Sequence, residues 1–350
     1  MTVPVAISST TERLLLVALL LVIALGIQMA SDVVIILVVS FILTLLALPA
    51  VGFLQRRELP HGIAVAVVSL VAFLLLLGLI VLLVFALQML ATDIGTFQAE
   101  LDQRIDAVLL ALNQFGISLP AFSASSFDLG AIAGTALAWV SDLGGILMAT
   151  FFVMIATFFM LLEAPQLPVR AARLLGPDTT ALDQASRMSG FVIDFMVVRT
   201  ETNLVHGVVF GGVLLAMGVH AAVLWGLLTF LLGYIPYLGL IAAALPAIFF
   251  AWIQYGLPGA LAVVVVVIVL NLIVENPVFS YFASRTFEIP PVLVVLAVIF
   301  FGWLLGVLGM LFAVPLMLMV LILVQASEET RWINVLLGVD RLFQNGAGPS

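Results

Sequence analysis

The feature that most constrains the fold of this chain is a series of apolar segments, each long enough to cross a lipid bilayer. A helix needs about 20 apolar residues to cross the hydrocarbon core. The chain is 65% hydrophobic and 9% charged, whereas about a quarter of the residues in a soluble domain are charged. We therefore predict an all-α, multi-pass membrane protein with about eight transmembrane helices. The predicted helices cover residues 13–30, 33–54, 62–90, 143–162, 203–219, 222–253, 258–275 and 292–325.

Composition and charge exclude several classes of protein. The chain has no cysteine, which excludes disulfides and cysteine-based metal sites. Its three histidines, His61, His206 and His220, are too far apart to form a ligand-spaced cluster, so we expect no metal and no cofactor. The net charge of −8 argues against nucleic acid as a partner, because binding it requires a basic surface. The motifs of serine hydrolases, zinc proteases and phosphate-loop ATPases are absent, so we do not expect an enzyme.

Polar segments divide the chain into regions. We predict transmembrane helices one to three in residues 1–90, an extracytoplasmic amphipathic helix and loop in 91–140, helices four to eight in 141–325, and a cytoplasmic tail in 326–350. The third of these regions includes a cytoplasmic segment at 163–200 and a transport core at 200–320. Apolar residues recur at three- and four-residue steps over 91–115. That stripe predicts either a contact between neighbouring subunits or packing against the protein's own external loop.

The positions of the basic residues predict the orientation in the membrane. Segments on the cytoplasmic side of membrane proteins carry an excess of Arg and Lys. All eleven basic residues of this chain are Arg. With a cytoplasmic N-terminus and eight crossings, nine of them lie inside and only Arg104 and Arg285 lie outside. We therefore predict that both termini are cytoplasmic.

Glycine and proline interrupt the apolar segments in the last third of the chain. Gly233, Pro236 and Gly239 lie within one predicted helix, and they predict a broken or re-entrant segment that moves or lines a path. The alternative is a kinked helix or tight interhelical packing. Backbone groups freed by such a break persist in a membrane only where protein or an aqueous cavity satisfies them. Residues 292–325 are long for one crossing, and Gly306 in their middle predicts a tilt or kink.

Polar residues cluster at the end of the seventh predicted helix. Glu275, Asn276 and Pro277 follow Asn271 there. Placing a carboxylate at membrane depth costs about 2.5–3.5 kcal/mol, so such residues often serve a substrate or ion path. We predict that Glu275, Asn276 and Asn271, together with Arg285, line that path, with Pro277 as part of a gating break. The alternative is an interfacial Glu275 that caps its helix and pairs with Arg285.

Arg199 lies ahead of the fifth predicted helix, near Glu201. One hypothesis is that these residues, together with Asn203 and His206, form a gate or a substrate contact at the cytoplasmic mouth. The interpretation we favour from the sequence is ordinary flanking charge, with Arg199 and Glu201 paired to each other or solvated.

Several short motifs follow one another in a fixed order in the last third of the chain. They are Tyr-Ile-Pro-Tyr-Leu-Gly at 234–239, Ala-Leu-Pro-Ala at 244–247, Asn-Pro at 276–277, Pro-Pro at 290–291, Gly-Trp-Leu-Leu-Gly at 302–306 and Gly-Met-Leu-Phe-Ala-Val-Pro-Leu at 309–316. Together they resemble the AI-2E family, the autoinducer-2 exporters of bacteria. Gly233 departs from the pattern, since similar proteins often have Asn or Asp at that position.

The resemblance implies a secondary transporter of the bacterial cytoplasmic (inner) membrane that forms a homo-oligomer, a pentamer in similar proteins. Three hypotheses about function follow. The first is export of a small polar signalling molecule such as autoinducer-2, used in quorum sensing. The second is sodium(lithium)/proton antiport, with Glu275 as the titrating group. The third is a membrane scaffold that transports nothing, which predicts a dry interior.

Overall fold

The computed structural model describes residues 9–339 except 117–128, 132–133, 135–137, 139–140, 168, 171–178, 237, 276, 278–288, 327–329 and 331. The described residues form helices and turns and include no strand, which confirms the all-α class. The main helices are α1 (Ser9–Met29), α2 (Ser31–Gln55), α3 (His61–Thr92), α4 (Ile94–Gln114), α5 (Leu143–Glu163), α6 (Thr179–Ala216), α7 (Ala222–Leu232), α8 (Gly239–Leu270), α9 (Pro291–Leu311), α10 (Ala313–Ala326) and α11 (Trp332–Leu336).

Several of these helices have the length and composition of membrane spans. Among the described residues, five helical segments are long and apolar enough to cross a bilayer: Ser31–Gln55, His61–Thr92, Leu143–Gln166, Gly239–Glu275 and Pro291–Leu311. Shorter apolar helices accompany them at Ala18–Met29, Ala222–Leu232 and Ala313–Gln325. The multi-pass architecture is thus confirmed, whereas the number of eight crossings stays a prediction.

Helix α6 begins much earlier than the fifth predicted crossing. It starts at Thr179, inside the polar segment, and continues to Ala216. No proline interrupts residues 179–216, so the polar and apolar parts form one helix. As a result, Arg199 and Asn203 lie in the middle of a long helix rather than at its start.

Two glycines reverse the chain inside apolar segments that look continuous in the sequence. Gly256 has φ 69° and ψ −158°, and Gly306 has φ 66° and ψ −151°, a conformation that is essentially restricted to glycine. Three residues after each turn, another glycine lies against the carbonyl oxygen of the residue eight positions before it. In a straight helix such residues are about 12 Å apart. The tilt or kink predicted at Gly306 is therefore a reversal of the chain.

Glycine also allows α6 and α7 to pack with their backbones in contact. A Cβ atom on Gly226 of α7 would lie 2.7 Å from the carbonyl oxygen of Gly207 in α6. The same Cβ would lie 3.0 Å from the Cα atom of Gly211, one turn farther along α6. The two helices thus form a tight pair, because small residues let helices approach closely within a membrane.

The apolar stripe of α4 packs mainly inside its own protomer. Phe97, Leu101 and Ile105 are buried in one cluster with residues of α6, α7 and α8. Farther along α4, Val108 and Phe115 are exposed. The first half of the stripe therefore supports packing within the chain, and only the second half is left for a neighbouring subunit.

The packing gives the bundle two distinct ends. The α4 end contains the turn at residues 217–221 and the turn at Gly256, and α4 lies across them. The junction end contains residues 233–238, which connect α7 to α8, and Glu275, which lies just beyond the C-terminal end of α8. Helix α6 runs between the two ends.

Candidate functional site

The predicted break is a tight turn between α7 and α8. Helix α7 ends at Leu232, and α8 begins at Gly239. The turn is closed by hydrogen bonds from the backbone N–H of Ile235 to Leu232 O at 2.8 Å and from that of Gly239 to Ile235 O at 3.0 Å. A Cβ atom on Gly239 would collide with the carbonyl oxygen of Leu232. The glycine that ends the motif is therefore required for the two helices to approach here.

Arg199 of α6 joins this turn to the far end of α8. Its Nη1 donates to both carboxylate oxygens of Glu275, at 2.8 and 3.0 Å. Its Nε donates to the carbonyl oxygen of Gly233 at 2.9 Å, and Nη2 donates to the same oxygen. The side chains of Arg199 and Glu275 are only 14% and 29% exposed. One guanidinium thus links three segments that are distant in sequence.

The same face of α6 carries further polar side chains toward the turn and α8. The hydroxyl of Tyr234 donates to Oγ1 of Thr200 at 2.7 Å. Nε2 of His206 lies 3.2 Å from the carbonyl oxygen of Leu270 and donates to it when it carries the proton. Asn203 lies between them and is 1% exposed. Neither Oδ1 nor Nδ2 of Asn203 has a hydrogen-bond partner among the described residues.

Glu275 reaches Arg199 from a π-helical turn. Residues Asn271–Glu275 form this turn directly after α8, and π-helical turns are frequent at functional sites. Asn271 is exposed at the start of the turn. Pro277 is also exposed.

The predicted site residues therefore separate into three groups. Gly233 and Glu275 are brought together through Arg199, and Pro236 and Gly239 lie in the adjoining turn. Asn271 and Pro277 are exposed, and the structure shows no hydrogen bond from either to Arg199. Asn276 and Arg285 fall outside the described residues, as does the predicted pairing of Glu275 with Arg285.

The interpretation of Arg199 as flanking charge is wrong. Glu201 is exposed, and Arg199 pairs with Glu275 instead. The physical reason is helix geometry, because residues two apart on a helix do not face each other.

A second polar cluster lies at the α4 end. Arg104 of α4 donates from Nε and Nη2 to the carbonyl oxygen of Ile253, and from Nη2 to that of Gln254, each at 3.1 Å. These carbonyls directly precede the Gly256 turn. The Gln254 side chain accepts a hydrogen bond from the backbone N–H of His220 at 2.9 Å. The cluster thus ties α4 to two turns, as the junction ties three segments at the opposite end.

Comparison with known proteins decides the family. The profile described as AI-2E family transporter matches residues 15–329. The chain belongs to this family. The resemblance seen in the motifs is therefore confirmed over nearly the whole chain, and the family is one of transporters.

Curated relatives of this AI-2E family transporter are bacterial proteins of almost the same length. The AI-2 transport protein TqsA of Escherichia coli (strain K12) is 26% identical over 335 residues, which cover 95% of this chain and 97% of the relative. A putative transport protein of Haemophilus influenzae is 27% identical over 334 residues, covering 93% and 96%. The putative transport protein YhhT of Escherichia coli (strain K12) is 24% identical over 329 residues, covering 94% of each.

Two residues of this AI-2E transporter site, Arg199 and Asn203, belong to a hypothesis that the sequence offered but did not favour. Arg199 and Asn203 precede the most apolar part of α6, where charge and amide groups look like ordinary flanking residues. A signal was present in their spacing, since Arg199, Asn203 and His206 are four and three positions apart and so share one helix face. The position of Gly233 is informative too. A Cβ placed on it would lie 2.5 Å from Oδ1 of Asn203, so α6 places an amide directly against the backbone of this position.

Proposed function

We propose that this protein is a secondary transporter that exports a small polar signalling molecule of the AI-2 type across the cytoplasmic membrane. The name of the relative TqsA, an AI-2 transport protein, supports the solute class. The observation that carries the proposal is the contact of Arg199 with Gly233 and Glu275. It joins the turn between α7 and α8 to two other segments through one side chain, and such a contact can hold a path closed.

The contact of Arg199 with Gly233 and Glu275 works as a latch in this proposal. While Arg199 bonds Gly233 and Glu275, residues 233–238 are held against α6. Hydrogen bonds to charged groups contribute about 1.5–3 kcal/mol each. Opening therefore requires new interactions that replace the free energy lost when these bonds break. A solute shifts the equilibrium only if it binds the open state better than the closed one. A polar solute can do so by replacing the contacts that the latch gives up.

The latch residues also bear on the antiport hypothesis. Both oxygens of Glu275 accept hydrogen bonds from Arg199. A sodium or lithium ion would have to displace the guanidinium to reach that carboxylate. Among the described residues, no group of His, Asp and Glu side chains is arranged to hold a metal ion. These observations favour a polar solute over a cation as the transported species.

The orientation and assembly belong to the proposal as well. With a cytoplasmic N-terminus, the junction end faces the cytoplasm and the α4 end, which carries Arg104, faces outward. The reversal at Gly256 then brings Glu275 to the cytoplasmic side, whereas the eight-crossing prediction places the end of that segment outside. The solute then enters at the latch. The exposed residues Val108 and Phe115 of α4 are available for the contact between subunits that a homo-oligomer requires.

The test is efflux of AI-2 from liposomes that contain the purified protein. We expect wild-type protein to transport AI-2 and to show no proton flux driven by sodium or lithium. Glu275→Gln and Pro236→Ala should each change the rate of AI-2 efflux, because the first weakens the latch and the second alters the turn that the latch holds. Glu163→Gln is the matched control, because Glu163 forms an exposed ion pair with Arg170. Cation-dependent proton flux without AI-2 efflux would favour antiport, and unchanged efflux in both variants would remove the assignment of the site.

A further inference from the structure

Asn203 stands out among the polar residues on its face of α6. Thr200 and His206 lie near it on the same helix and each has a hydrogen-bond partner across the junction. Asn203 is equally well positioned and is 1% exposed, yet both of its amide atoms lack partners among the described residues. A buried amide without partners destabilises the folded protein. Such groups are rare in native structures and call for an explanation.

The surroundings of Asn203 show what covers it. A Cβ placed on Gly233 would lie 2.5 Å from Oδ1 and 2.7 Å from Cγ of Asn203. The amide therefore lies directly against the backbone of the turn between α7 and α8. Arg199 holds that same residue in place through its carbonyl oxygen. Release of the latch frees the segment that covers the amide.

We infer that the amide of Asn203 is a contact for the transported solute, covered by Gly233 in the closed state and uncovered when residues 233–238 move. This inference rests on the proposed function and specifies the class of solute. The amide presents one acceptor, Oδ1, beside a donor group, Nδ2. Its complement is a neutral molecule with a donor and an acceptor on neighbouring atoms, such as a vicinal diol or a hydroxycarbonyl compound.

Charged solutes fit this position less well. A cation would use Oδ1 alone and would find no role for the donor Nδ2. The charge of Arg199 is balanced by Glu275, so an anion would have to displace that carboxylate. A neutral hydroxylated solute can use both groups of the amide and has no need to displace that carboxylate.

The first experiment compares Asn203→Leu with wild-type protein in AI-2 efflux, with meso-erythritol as a competing vicinal diol. Leucine has nearly the shape of asparagine and lacks the unsatisfied amide. Loss of two hydrogen bonds of ordinary net strength corresponds to a KM about tenfold higher or more. The melting temperature should equal or exceed that of wild type, because the amide has no partner to lose. If Asn203 had a purely structural role, the substitution would lower the melting temperature and leave KM unchanged.

The control for that experiment is Thr157→Val in the contact between α2 and α5. Thr157 is buried, and its hydroxyl donates to Val153 O and Ser40 O. We expect this variant to lose stability and to keep the wild-type KM. A wild-type KM for Asn203→Leu, with erythritol competing equally in both proteins, would overturn the inference.

The second experiment uses the absence of cysteine from this chain. Asn203→Cys is treated with a water-soluble methanethiosulfonate reagent, and Leu214→Cys, a fully buried apolar position of α6, is the control. We expect modification of the first variant only, slowed by AI-2 and by erythritol. Failure to modify Asn203→Cys, or a rate that neither solute changes, would overturn the inference. Failure of the proposed function would show separately, as absence of AI-2 efflux from wild-type protein.

Discussion

Arg199 and Glu275 form a partly buried ion pair across 76 positions of sequence, with Nη1 of the arginine 2.8 and 3.0 Å from the two carboxylate oxygens. The rest of the guanidinium bonds the carbonyl oxygen of Gly233. The pair therefore does more than neutralise two charges. It fixes the turn between α7 and α8 relative to α6 and to the end of α8.

The first prediction concerns the stability of the ion pair. Arg199→Gln and Glu275→Gln should each lower the free energy of unfolding by about 1–3 kcal/mol, because each leaves the other charge partly buried without its partner. The double variant should lose less than the sum of the two, since the second change no longer strands a charge. Thermal or denaturant unfolding of the four purified proteins measures this. Strictly additive losses would show that the two side chains are not coupled.

The second prediction concerns the turn at Gly306. Gly306→Ala should lower the free energy of unfolding by about 1–3 kcal/mol, because its φ of 66° and ψ of −151° are strained for any residue with a Cβ. The space around a Cβ there is open within 4 Å, so the effect is one of backbone conformation. Gly212→Ala is the control, since it lies in α6 with equally open space and helical residues favour Ala. Equal changes in both melting temperatures would contradict the chain reversal at Gly306.

How far the sequence predicts this structure depends on the kind of interaction. Apolar segment length predicts where most helices lie, because a bilayer demands about 20 apolar residues per crossing. The motif at 233–239 predicts the break, since glycine and proline mark backbone that leaves a helix. The reversal at Gly306 is not predictable in this way, because a glycine in an apolar run is equally typical of tight helix packing. Only the contact of Gly309 with the carbonyl oxygen of Phe301 distinguishes a chain reversal from tight helix packing.

The pairing in the site is likewise beyond the sequence. Glu275 is conspicuous as a carboxylate at the end of an apolar run, but several arginines could reach it. Whether Glu275 pairs with Arg199 or with Arg285 depends on how α6 packs against α7 and α8. Asn203 is still harder to single out, because its significance is the lack of a partner, which only the packed structure reveals.

The third prediction concerns the α4 end. Arg104→Gln should speed amide hydrogen exchange near the Gly256 turn by about tenfold, because the carbonyls of Ile253 and Gln254 lose donors of charged type. Exchange at Gly233 should not change. Arg57→Gln is the control, since Arg57 lies over the ring of Phe53 on the surface. Hydrogen exchange read by mass spectrometry makes the comparison, and unchanged exchange near Gly256 in Arg104→Gln would show that Arg104 does not stabilise the turn.

We propose that the turn between α7 and α8 must separate from α6 for solute to pass. Thr200 and Tyr234 lie on the two sides of that contact, with their hydroxyl oxygens 2.7 Å apart. In this cysteine-free chain, Thr200→Cys/Tyr234→Cys can be linked by a short bifunctional methanethiosulfonate, and each single variant treated with the same reagent is the control.

The decisive measurement is AI-2 efflux from liposomes that contain the linked double variant, before and after reduction. We predict that linking stops efflux, that a reducing agent restores it, and that the treated single variants continue to transport. Efflux from the linked protein at the rate of the unlinked protein would contradict the account, because the turn would then have no need to move.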